Sequence, residues 1–376
     1  MIILFIIISL VYFILIFSFI IGFNKIKTFN LDKNYTPKNR FTIIIPFRNE
    51  EKNLHSLLSS LNRLNYPSNM LEIILVNDDS SDSYLTILNN FKEKTSLKFE
   101  LIENIRKSNS PKKDAIEIAI KKAKYDWILT TDADCILPKD WITFYDNFIQ
   151  KKNPKMICGP VTYQVKNNFF EKFQLFDFIS LIGTTIGSFG LKKPFLCNGA
   201  NLCYSKDLFY ELNGFENNNT ISSGDDVFLL EKANKMYPEK IHYLKSINTL
   251  VQTLPQENIK NLIFQRIRWA SKTTAYENSF GKFVGIVVFL MNSVILILLV
   301  LTGFKVISWN YFTIIFLIKF HIDLILIYFT LNFTKQQKNI LFYPIISIIH
   351  PFFIFFTAFL SFLKIKYKWK NRDFSL

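Results

Sequence analysis

The sequence predicts an α/β domain with a parallel sheet, set between apolar segments long enough to cross a membrane. Residues 41–76 pass from a β-branched run through a helical pattern to a second β-branched run, which is the order of a βαβ unit. The hydrophobic excess, including 40 phenylalanines in 376 residues, is concentrated at the two ends of the chain. One soluble core cannot use that much apolar surface, so the ends are predicted to be membrane helices.

Segment 1–23 contains almost only Ile, Leu, Phe and Val, carries no charge, and reaches the roughly 20 residues needed to span hydrocarbon. A cleaved signal peptide is the alternative. It is disfavoured because the segment has no basic start, its apolar run is too long, and no small-x-small cleavage site follows. Lys25 and Lys27 come next, which predicts an uncleaved anchor with its C-terminal side in the cytoplasm.

Three further apolar runs, at about 283–304, 308–330 and 340–363, predict a C-terminal membrane region. Three spans after the anchor would leave the tail at 364–376 outside. That tail is basic, however, and such tails usually stay in the cytoplasm; its charges are Lys364, Lys366, Lys368, Lys370 and Arg372. An interfacial or re-entrant run among the three would reconcile the two observations, and the number of true spans stays open.

Three ionisable residues, Lys319, His321 and Asp323, lie inside the second of these runs. Ionisable groups are costly in hydrocarbon and therefore count as functional candidates. They could line a path for acceptor or product, pair with one another, or mark a segment that does not fully span.

The net charge of +15 raises nucleic-acid binding as a possibility. Membrane-flanking lysines and an anionic donor or lipid surface explain the charge equally well, and the abundance of Lys, Asn, Ile and Phe indicates a general compositional bias, so no nucleic-acid partner is expected. The four cysteines form no Cys-x-x-Cys pair and have no His spacing suited to zinc. They are predicted to be free thiols in a reducing compartment, in agreement with a cytoplasmic middle domain.

Within the middle domain, 41–46, 71–76 and 127–131 are predicted to be buried parallel strands. Helices are predicted after the first strand, where leucines recur at helical spacing, and over 112–124. A βαβ unit binds ligands beyond the carboxyl ends of its strands. Arg48 and the Asp78–Asp82 segment are therefore expected beside a ligand. For Ser80 to Asp82, a turn that caps the next helix is an equally good interpretation.

Asp132 and Asp134 directly follow the third predicted strand. Alternate carboxylates at a strand end can hold one hard divalent cation, and Mg²⁺ prefers one or two carboxylates together with phosphate oxygens. Such a cation would neutralise the diphosphate leaving group of a nucleotide sugar. We therefore predict a site for Mg²⁺ or Mn²⁺ at Asp132 and Asp134.

These motifs, taken in order, resemble glycosyltransferase family 2, the inverting nucleotide-sugar transferases with a GT-A fold. More narrowly, they resemble its membrane-integrated branch, which includes polysaccharide synthases and ceramide glucosyltransferases. The resemblance runs from about 41 to 269. It rests on the segments Thr42–Glu50, Val76–Asp82, Asp132–Asp134, Asn198–Asn201, Gly224–Asp226 and Gln265-x-x-Arg268-Trp269.

The resemblance implies roles for individual residues. Asp78 or Asp79 matches the nucleoside-contacting aspartate, and the residues expected by the same base and ribose are Pro46, Arg48, Asn49 and Glu50. Lys112 falls where the family often has a Gly-Lys pair near the donor, although Pro111 replaces the glycine. Asp132 and Asp134 would hold the metal and the donor sugar.

Asp226 matches the final carboxylate of a Thr-Glu-Asp-like element, the proposed general base that deprotonates the acceptor hydroxyl. Gly224-Asp225 replaces Thr-Glu here, so the role of Asp225 is open. An inverting transfer needs a carboxylate on the acceptor side of the anomeric carbon, which supports this assignment. The alternative is that both acids mark the first turn of a helix, and both interpretations can hold together.

Gln265, Arg268 and Trp269 would supply a guanidinium for phosphate oxygens and a flat ring for a sugar face. The alternative is an interfacial helix in which Arg and Trp mark the headgroup level. The position of the motif, after the acidic elements, favours the acceptor or diphosphate side of the site.

The sequence thus predicts a GT-A domain over 40–270 between the 1–23 anchor and a 283–363 membrane region, followed by the 364–376 tail. The expected protein is a multi-pass cell-membrane enzyme with a cytoplasmic catalytic domain. It would transfer a sugar, in a metal-dependent inverting reaction, from a nucleotide sugar of the UDP type to a lipid or glycan acceptor beside membrane lipid. A single addition to a lipid-linked acceptor is slightly favoured over repeated addition. The alternatives are a nucleotidyl- or phosphosugar transferase and an inactive membrane scaffold or transporter.

Overall fold

The computed structural model describes residues 1–216, 218, 224–271, 277–363, 367–369 and 372–374. The chain divides into two compact units. The first, called the sheet unit below, comprises Lys27–Gln164 and Leu196–Leu254. The second, called the helical unit, comprises Met1–Ile26, Val165–Phe195 and Pro255–Leu376.

The helices and strands are numbered in chain order. The α-helices are α1 (Ile2–Lys25), α2 (Glu51–Asn62), α3 (Tyr84–Lys92), α4 (Pro111–Lys122), α5 (Trp141–Lys152), α6 (Phe169–Gly190), α7 (Lys206–Glu211), α8 (Asp225–Met236), α9 (Ile259–Ser271), α10 (Ser279–Gly303), α11 (Trp309–Phe333) and α12 (Tyr343–Phe362). The strands are β1 (Phe41–Phe47), β2 (Leu71–Asn77), β3 (Phe99–Glu103), β4 (Trp127–Thr130), β5 (Met156–Cys158), β6 (Val161–Tyr163), β7 (Leu202–Ser205), β8 (Ile241–Tyr243), β9 (Val251–Thr253), β10 (Tyr367–Trp369) and β11 (Arg372–Phe374).

The sheet unit contains a mixed sheet with strand order β3-β2-β1-β4-β7-β5-β8. Strand β7 runs antiparallel to β4 and β5, and the other neighbours are parallel. A separate parallel ladder joins β6 to β9. This confirms the predicted α/β class, with a largely parallel sheet.

Strand β1 shows why its residues form a central strand. Ile43, Ile44 and Ile45 are each 0% exposed, because parallel strands in this class are covered on both faces. Helix α2 buries the leucines that recur at helical spacing, namely Leu54, Leu57, Leu58 and Leu61. The predicted strands and the two predicted helices therefore occur within a few residues of the expected bounds.

The parallel register brings the carboxyl ends of the strands to one edge of the sheet. Phe47 pairs with Asn77 at the ends of β1 and β2, and Ile44 pairs with Thr130 of β4. The polar segments that follow these strands therefore emerge at the same edge.

The cysteines lie in the sheet unit and are free: Cys135, Cys158 and Cys203 are buried and Cys197 is half-buried. This agrees with the thiol state predicted from their spacing.

The helical unit contains the apolar segments. Within the described residues, four helical stretches are long and apolar enough to cross a membrane, namely Ile2–Lys25, Ser279–Gly303, Trp309–Phe333 and Gln337–Ser361. Their length and composition match the spans predicted from the sequence. The side chains of the basic tail lie outside the described residues. Within this tail the structure describes the backbone of the antiparallel pair β10–β11.

Helices α1 and α6 cross at glycines. A Cβ atom added to Gly190 would lie 1.9 Å from the Gly22 carbonyl oxygen, and one added to Gly187 would lie 2.6 Å from the Phe19 carbonyl oxygen. Glycine therefore permits a backbone approach that no larger residue allows, as in closely packed membrane helices.

The ionisable residues of α11 pair locally. Lys319 Nζ donates to Asp323 Oδ2 at 2.6 Å, and the Tyr12 hydroxyl of α1 donates to Asp323 Oδ1 at 2.6 Å. His321 is exposed, with Nδ1 2.7 Å from the Leu317 carbonyl oxygen. Among the possibilities left open by the sequence, the structure shows mutual pairing of Lys319 and Asp323.

The division into units differs from the domain bounds expected from the sequence. Helices α6 and α9 fall within the predicted 40–270 domain, yet they pack with the apolar helices α1, α11 and α12. The reason is their composition: α6 carries phenylalanine, leucine and isoleucine on several sides and buries most of them against helices.

Candidate active site

The ends of β1 and β2 bring predicted site residues together. Asp78 is the first residue after β2, and its backbone N–H donates to the Phe47 carbonyl at 2.9 Å. Arg48 follows β1, and its Nη1 donates to the Asp78 carbonyl at 2.7 Å and to Asp79 Oδ2 at 2.9 Å. The guanidinium of Arg48 thus fixes the turn that carries both aspartates.

Arg106 supplies a second guanidinium at this turn, and no motif in the sequence had indicated it. Its Nε donates to Asp78 Oδ1 at 3.0 Å and its Nη2 donates to Asp79 Oδ2 at 3.0 Å. Asn104 adds an amide N–H to Asp78 Oδ1 at 2.9 Å. Both residues follow β3, so recognising that strand would have placed them at this edge.

Left-handed backbone conformations and side-chain hydrogen bonds together fix the two loops at this edge. Asn49 and Asp79 adopt left-handed conformations, with φ of 51° and 61°, which Asn and Asp tolerate better than most residues. The Asn49 N–H donates to Ser80 Oγ at 3.0 Å, and Asn49 Oδ1 accepts from the Ser81 N–H at 2.8 Å. Asn49 therefore holds the loops together.

Of the other predicted residues at this edge, Glu50 and Asp82 form hydrogen bonds at the N-terminus of α2. Glu50 is buried at the N-terminus of α2 and accepts from Asn53 Nδ2 at 2.6 Å, while Pro46 lies within β1 opposite Val76. Asp82 Oδ2 accepts from the Glu51 N–H at 2.7 Å. The turn interpretation of Ser80 to Asp82 therefore describes the local structure, except that Asp82 caps α2 rather than the following helix.

Lys112 joins the end of β4 to the start of α8. Its Nζ lies 2.6 Å from Asp132 Oδ1 and 3.5 Å from Asp225 Oδ2. Burial alone would lower the pKa of Lys112, but the carboxylates of Asp132, Asp225 and Asp226 together raise it above its ordinary value. A charged lysine thus stands between acidic residues that are more than 90 positions apart in sequence.

Asp226 lies beside Asp225 in the first turn of α8, and Gly224 with φ of 88° precedes the helix. Asp226 Oδ2 accepts from the Gly199 N–H at 3.0 Å, and Oδ1 accepts from the Val227 N–H at 2.8 Å. These two bonds orient a half-buried carboxylate. The helix-terminus interpretation therefore describes the local structure, and it does not conflict with a catalytic role for Asp226.

Gly199 has a packing reason to lack a side chain. A Cβ atom here would lie 3.0 Å from Asp225 Oδ2 and 3.5 Å from both Asp226 Cβ and Lys112 Nζ. The segment is anchored by Asn201, which is fully buried and whose amide nitrogen donates to the carbonyls of Pro160 and Thr249 at 2.7 Å each. The backbone of Gly199 is therefore held against the acidic residues.

Asp132 and Asp134 are both half-buried at the end of β4. Across the described residues, no group of three or more His, Cys, Asp and Glu side chains is arranged to hold a metal ion. Mg²⁺ often takes only one or two carboxylates and completes its shell with phosphate oxygens and water. The two aspartates fit that shared kind of coordination, with Lys112 as the present partner of Asp132.

Gln265, Arg268 and Trp269 lie on α9 of the helical unit, whereas the acidic residues lie in the sheet unit. All three motif side chains are half-buried. Arg266, which is not part of the predicted motif, is the buried arginine of this helix.

Comparison with known proteins adds a family. The model described as "Glycosyl transferase family 2" matches residues 42–212. The poly-β-1,6-N-acetyl-D-glucosamine synthase of Staphylococcus epidermidis is 28% identical over 255 residues, which is 66% of this chain and 59% of that protein. The Staphylococcus aureus synthase is 32% identical over 157 residues, 40% of this chain and 36% of its own. The chain thus spans about three-fifths of the length of the first relative.

A solved mannosyltransferase from Pyrobaculum calidifontis, in complex with GDP-Man and Mn²⁺, superposes with a TM-score of 0.53 and 16% identity, covering 91% of this chain and 94% of its own. At this identity the likeness concerns the fold. The family match over 42–212 and the mixed sheet of GT-A type agree with each other. Residues 42–212 thus carry a glycosyl transferase family 2 domain, and the described residues also include helices long enough to cross a membrane.

Proposed function

We propose that this protein is an inverting glycosyltransferase that moves a sugar from a nucleotide sugar to a lipid or glycan acceptor at the membrane. The observation that carries the proposal is the cluster around Lys112, in which Asp132, Asp225 and Asp226 approach one another at the edge where the strands end. Nucleotide ligands of open α/β sheets bind at that edge.

The donor-binding part of the proposal rests on the Arg48–Asp78–Arg106 arrangement. Its hydrogen bonds hold the β1 and β2 loops in one geometry, which preorganises a surface for a nucleoside. The relatives are named as synthases of poly-β-1,6-N-acetyl-D-glucosamine. UDP-N-acetylglucosamine is therefore the first donor to test.

The assignment of a general base rests on Asp226. Two backbone N–H groups orient its carboxylate, and an acceptor hydroxyl within hydrogen-bond reach of that carboxylate could lose its proton to it as the new bond forms. Asp225 has a different role because its carboxylate lies near Lys112; we assign it to holding that lysine in place.

Asp132 and Asp134 would hold a divalent cation, Mg²⁺ or Mn²⁺, together with the donor phosphates. When bound, such a cation supplies neutralisation of the negative charge of the diphosphate leaving group. Lys112 places a further positive charge beside Asp132.

The proposed membrane location rests on the helical unit. Its four long apolar stretches fit a multi-pass membrane protein, and Lys25 at the end of α1 fits a cytoplasmic sheet unit, since lysines flank the cytoplasmic ends of spans. A lipid-linked or growing glycan acceptor would then be available where the donor is made.

The test uses the purified full chain in lipid nanodiscs with a panel of nucleotide sugars and extracted membrane lipids. We expect release of nucleoside diphosphate with at least one donor and a product whose mass has increased by sugar residues. One added residue would indicate single addition, and a ladder would indicate repeated addition. No turnover with any donor, while the protein stays folded, would contradict the proposal.

A further inference from the structure

A buried charged cluster in the helical unit has no part in the chemistry described so far. Arg266 Nε of α9 lies 2.6 Å from Asp177 Oδ2 of α6, and His350 Nε2 of α12 lies 3.0 Å from Asp177 Oδ1. The Asp177 and Arg266 side chains are only 5% and 7% exposed. Charges are this deeply buried only when they are paired and hydrogen-bonded.

Arg266 contacts two side chains of the Gln265-x-x-Arg268-Trp269 motif. Its Nη1 donates to Gln265 Oε1 at 2.5 Å, and its guanidinium carbon lies 4.2 Å from the centre of the Trp269 ring. At that distance the cation is attracted by the ring. Gln265 and Trp269 are therefore oriented by an arginine whose own position depends on Asp177.

Helix α6 supports the same assembly over more than one turn. Gln174 exchanges hydrogen bonds with the backbone of Gln256, accepting from its N–H at 2.7 Å and donating to its carbonyl at 3.0 Å. The Phe178 ring lies 6.0 Å from the Trp269 ring. Asp177 and Phe178 come three and four residues after Gln174, so the three residues share one face of α6. That face of α6 therefore contacts both the segment that precedes α9, at Gln256, and the motif on α9 itself.

The Asp177 side chain is ionised despite its burial. Burial would raise its pKa, but the neighbouring Arg266 and His350 lower the pKa to about 2. Asp177 is therefore a carboxylate at neutral pH, and Arg266 keeps an anionic partner.

We propose that Asp177 is a positioning residue for the reaction: through Arg266 it sets the orientation of Gln265 and Trp269, and through His350 it ties that arrangement to α12. This inference rests on the proposed function for the consequence in turnover. The clamp itself concerns only contacts within the helical unit.

The test compares Asp177→Asn with wild type. The substitution keeps the shape and removes the charge, so Arg266 loses its anchor. We expect kcat to fall about 10- to 100-fold, the scale that a small misplacement of binding groups produces, while KM for the donor stays near wild type. Asp177→Glu, which keeps the charge, should recover part of the lost kcat.

Asp323→Asn is the matched control. It also removes a carboxylate charge from an ion pair in the helical unit, here a half-buried one, but Asp323 is bonded to Lys319 and Tyr12 and not to α9. It should lower the melting temperature to a similar degree and leave kcat near wild type. An equal fall of kcat in both variants would overturn the proposal, because general loss of membrane-helix stability would then explain it.

A second measurement does not depend on activity. The Trp269 contribution to fluorescence is the emission of a protein minus that of its matched Trp269→Phe variant. It should change in Asp177→Asn and stay unchanged in Asp323→Asn. An unchanged Trp269 signal in Asp177→Asn would overturn the clamp. If wild type turned over no nucleotide sugar, the proposed function would fail, and this signal would still decide whether Asp177 orients the motif.

Discussion

Asp226→Asn separates a catalytic carboxylate from a helix-terminal one. In the structure both carboxylate oxygens accept backbone N–H bonds, one from Gly199 and one from Val227. Asparagine has a single side-chain oxygen, so its NH₂ group must face one of these donors.

The expected magnitudes differ for the two roles. Loss of one hydrogen bond beside a half-buried group costs about 1 kcal/mol of stability, the low end of the range because water reaches the site. Loss of a general base slows turnover by about 10²- to 10⁴-fold, which corresponds to roughly 3 to 5 kcal/mol in the barrier. The stability change is therefore too small to explain the expected loss of rate.

The assay measures nucleoside diphosphate release, donor affinity by calorimetry and the melting temperature on the same preparation. Donor affinity should stay near wild type, because the base acts on the acceptor. Asp207→Asn is the control: Asp207 is an exposed acid in the first turn of α7, and its loss should change neither rate nor affinity. Turnover of Asp226→Asn within a few-fold of wild type would refute the assignment of Asp226 as the base.

Three further predictions concern the rest of the sheet unit. Asp134→Ala should abolish transfer without lowering the melting temperature, and EDTA should do the same to wild type; full activity in EDTA would contradict the cation assignment. Arg106→Ala should raise the donor KM about 10-fold, or about 1.4 kcal/mol, because it removes one of the bonds that hold the Asp78 carboxylate. The same substitution at the exposed neighbour Lys107 should leave KM unchanged. Burial lowers the pKa of Lys245 to about 8, whereas an unperturbed lysine has a pKa of about 10.4. Between about pH 8 and about 10.4, Lys245 therefore binds more protons in the unfolded chain than in the folded chain. The melting temperature of wild type should therefore rise relative to Lys245→Met as pH increases through that window, and parallel curves would contradict the shift.

The predictability of the strands follows from their burial. Strands β1, β2 and β4 were predicted because burial on both faces produces uninterrupted apolar runs. Strand β3 lies at the edge of the sheet and buries only Ile102 of its five residues, and β5 and β8 have only three residues each. Patterns that short do not distinguish a strand from a loop.

The predictability of the site follows a similar division. Asp78, Asp132 and Asp134 were identified because they directly follow recognisable strands. Arg106 was missed because it follows β3, which the sequence analysis did not recognise. Its contacts with both aspartates also depend on the left-handed turn at Asp79, which no local pattern indicates.

The apolar helices, the α/β class and the acidic residues at the strand ends follow from the amino-acid sequence alone, because consecutive residues carry the local periodicity and the apolar runs that predict them. Three features could be seen only in the folded protein: Lys112 joins Asp132 to Asp225, Asp177 holds Arg266, and α6 and α9 pack with the apolar helices. These outcomes depend on which charged groups meet after the elements pack. Residues far apart in the chain form such pairs, and burial then makes an unpaired charge too costly to keep.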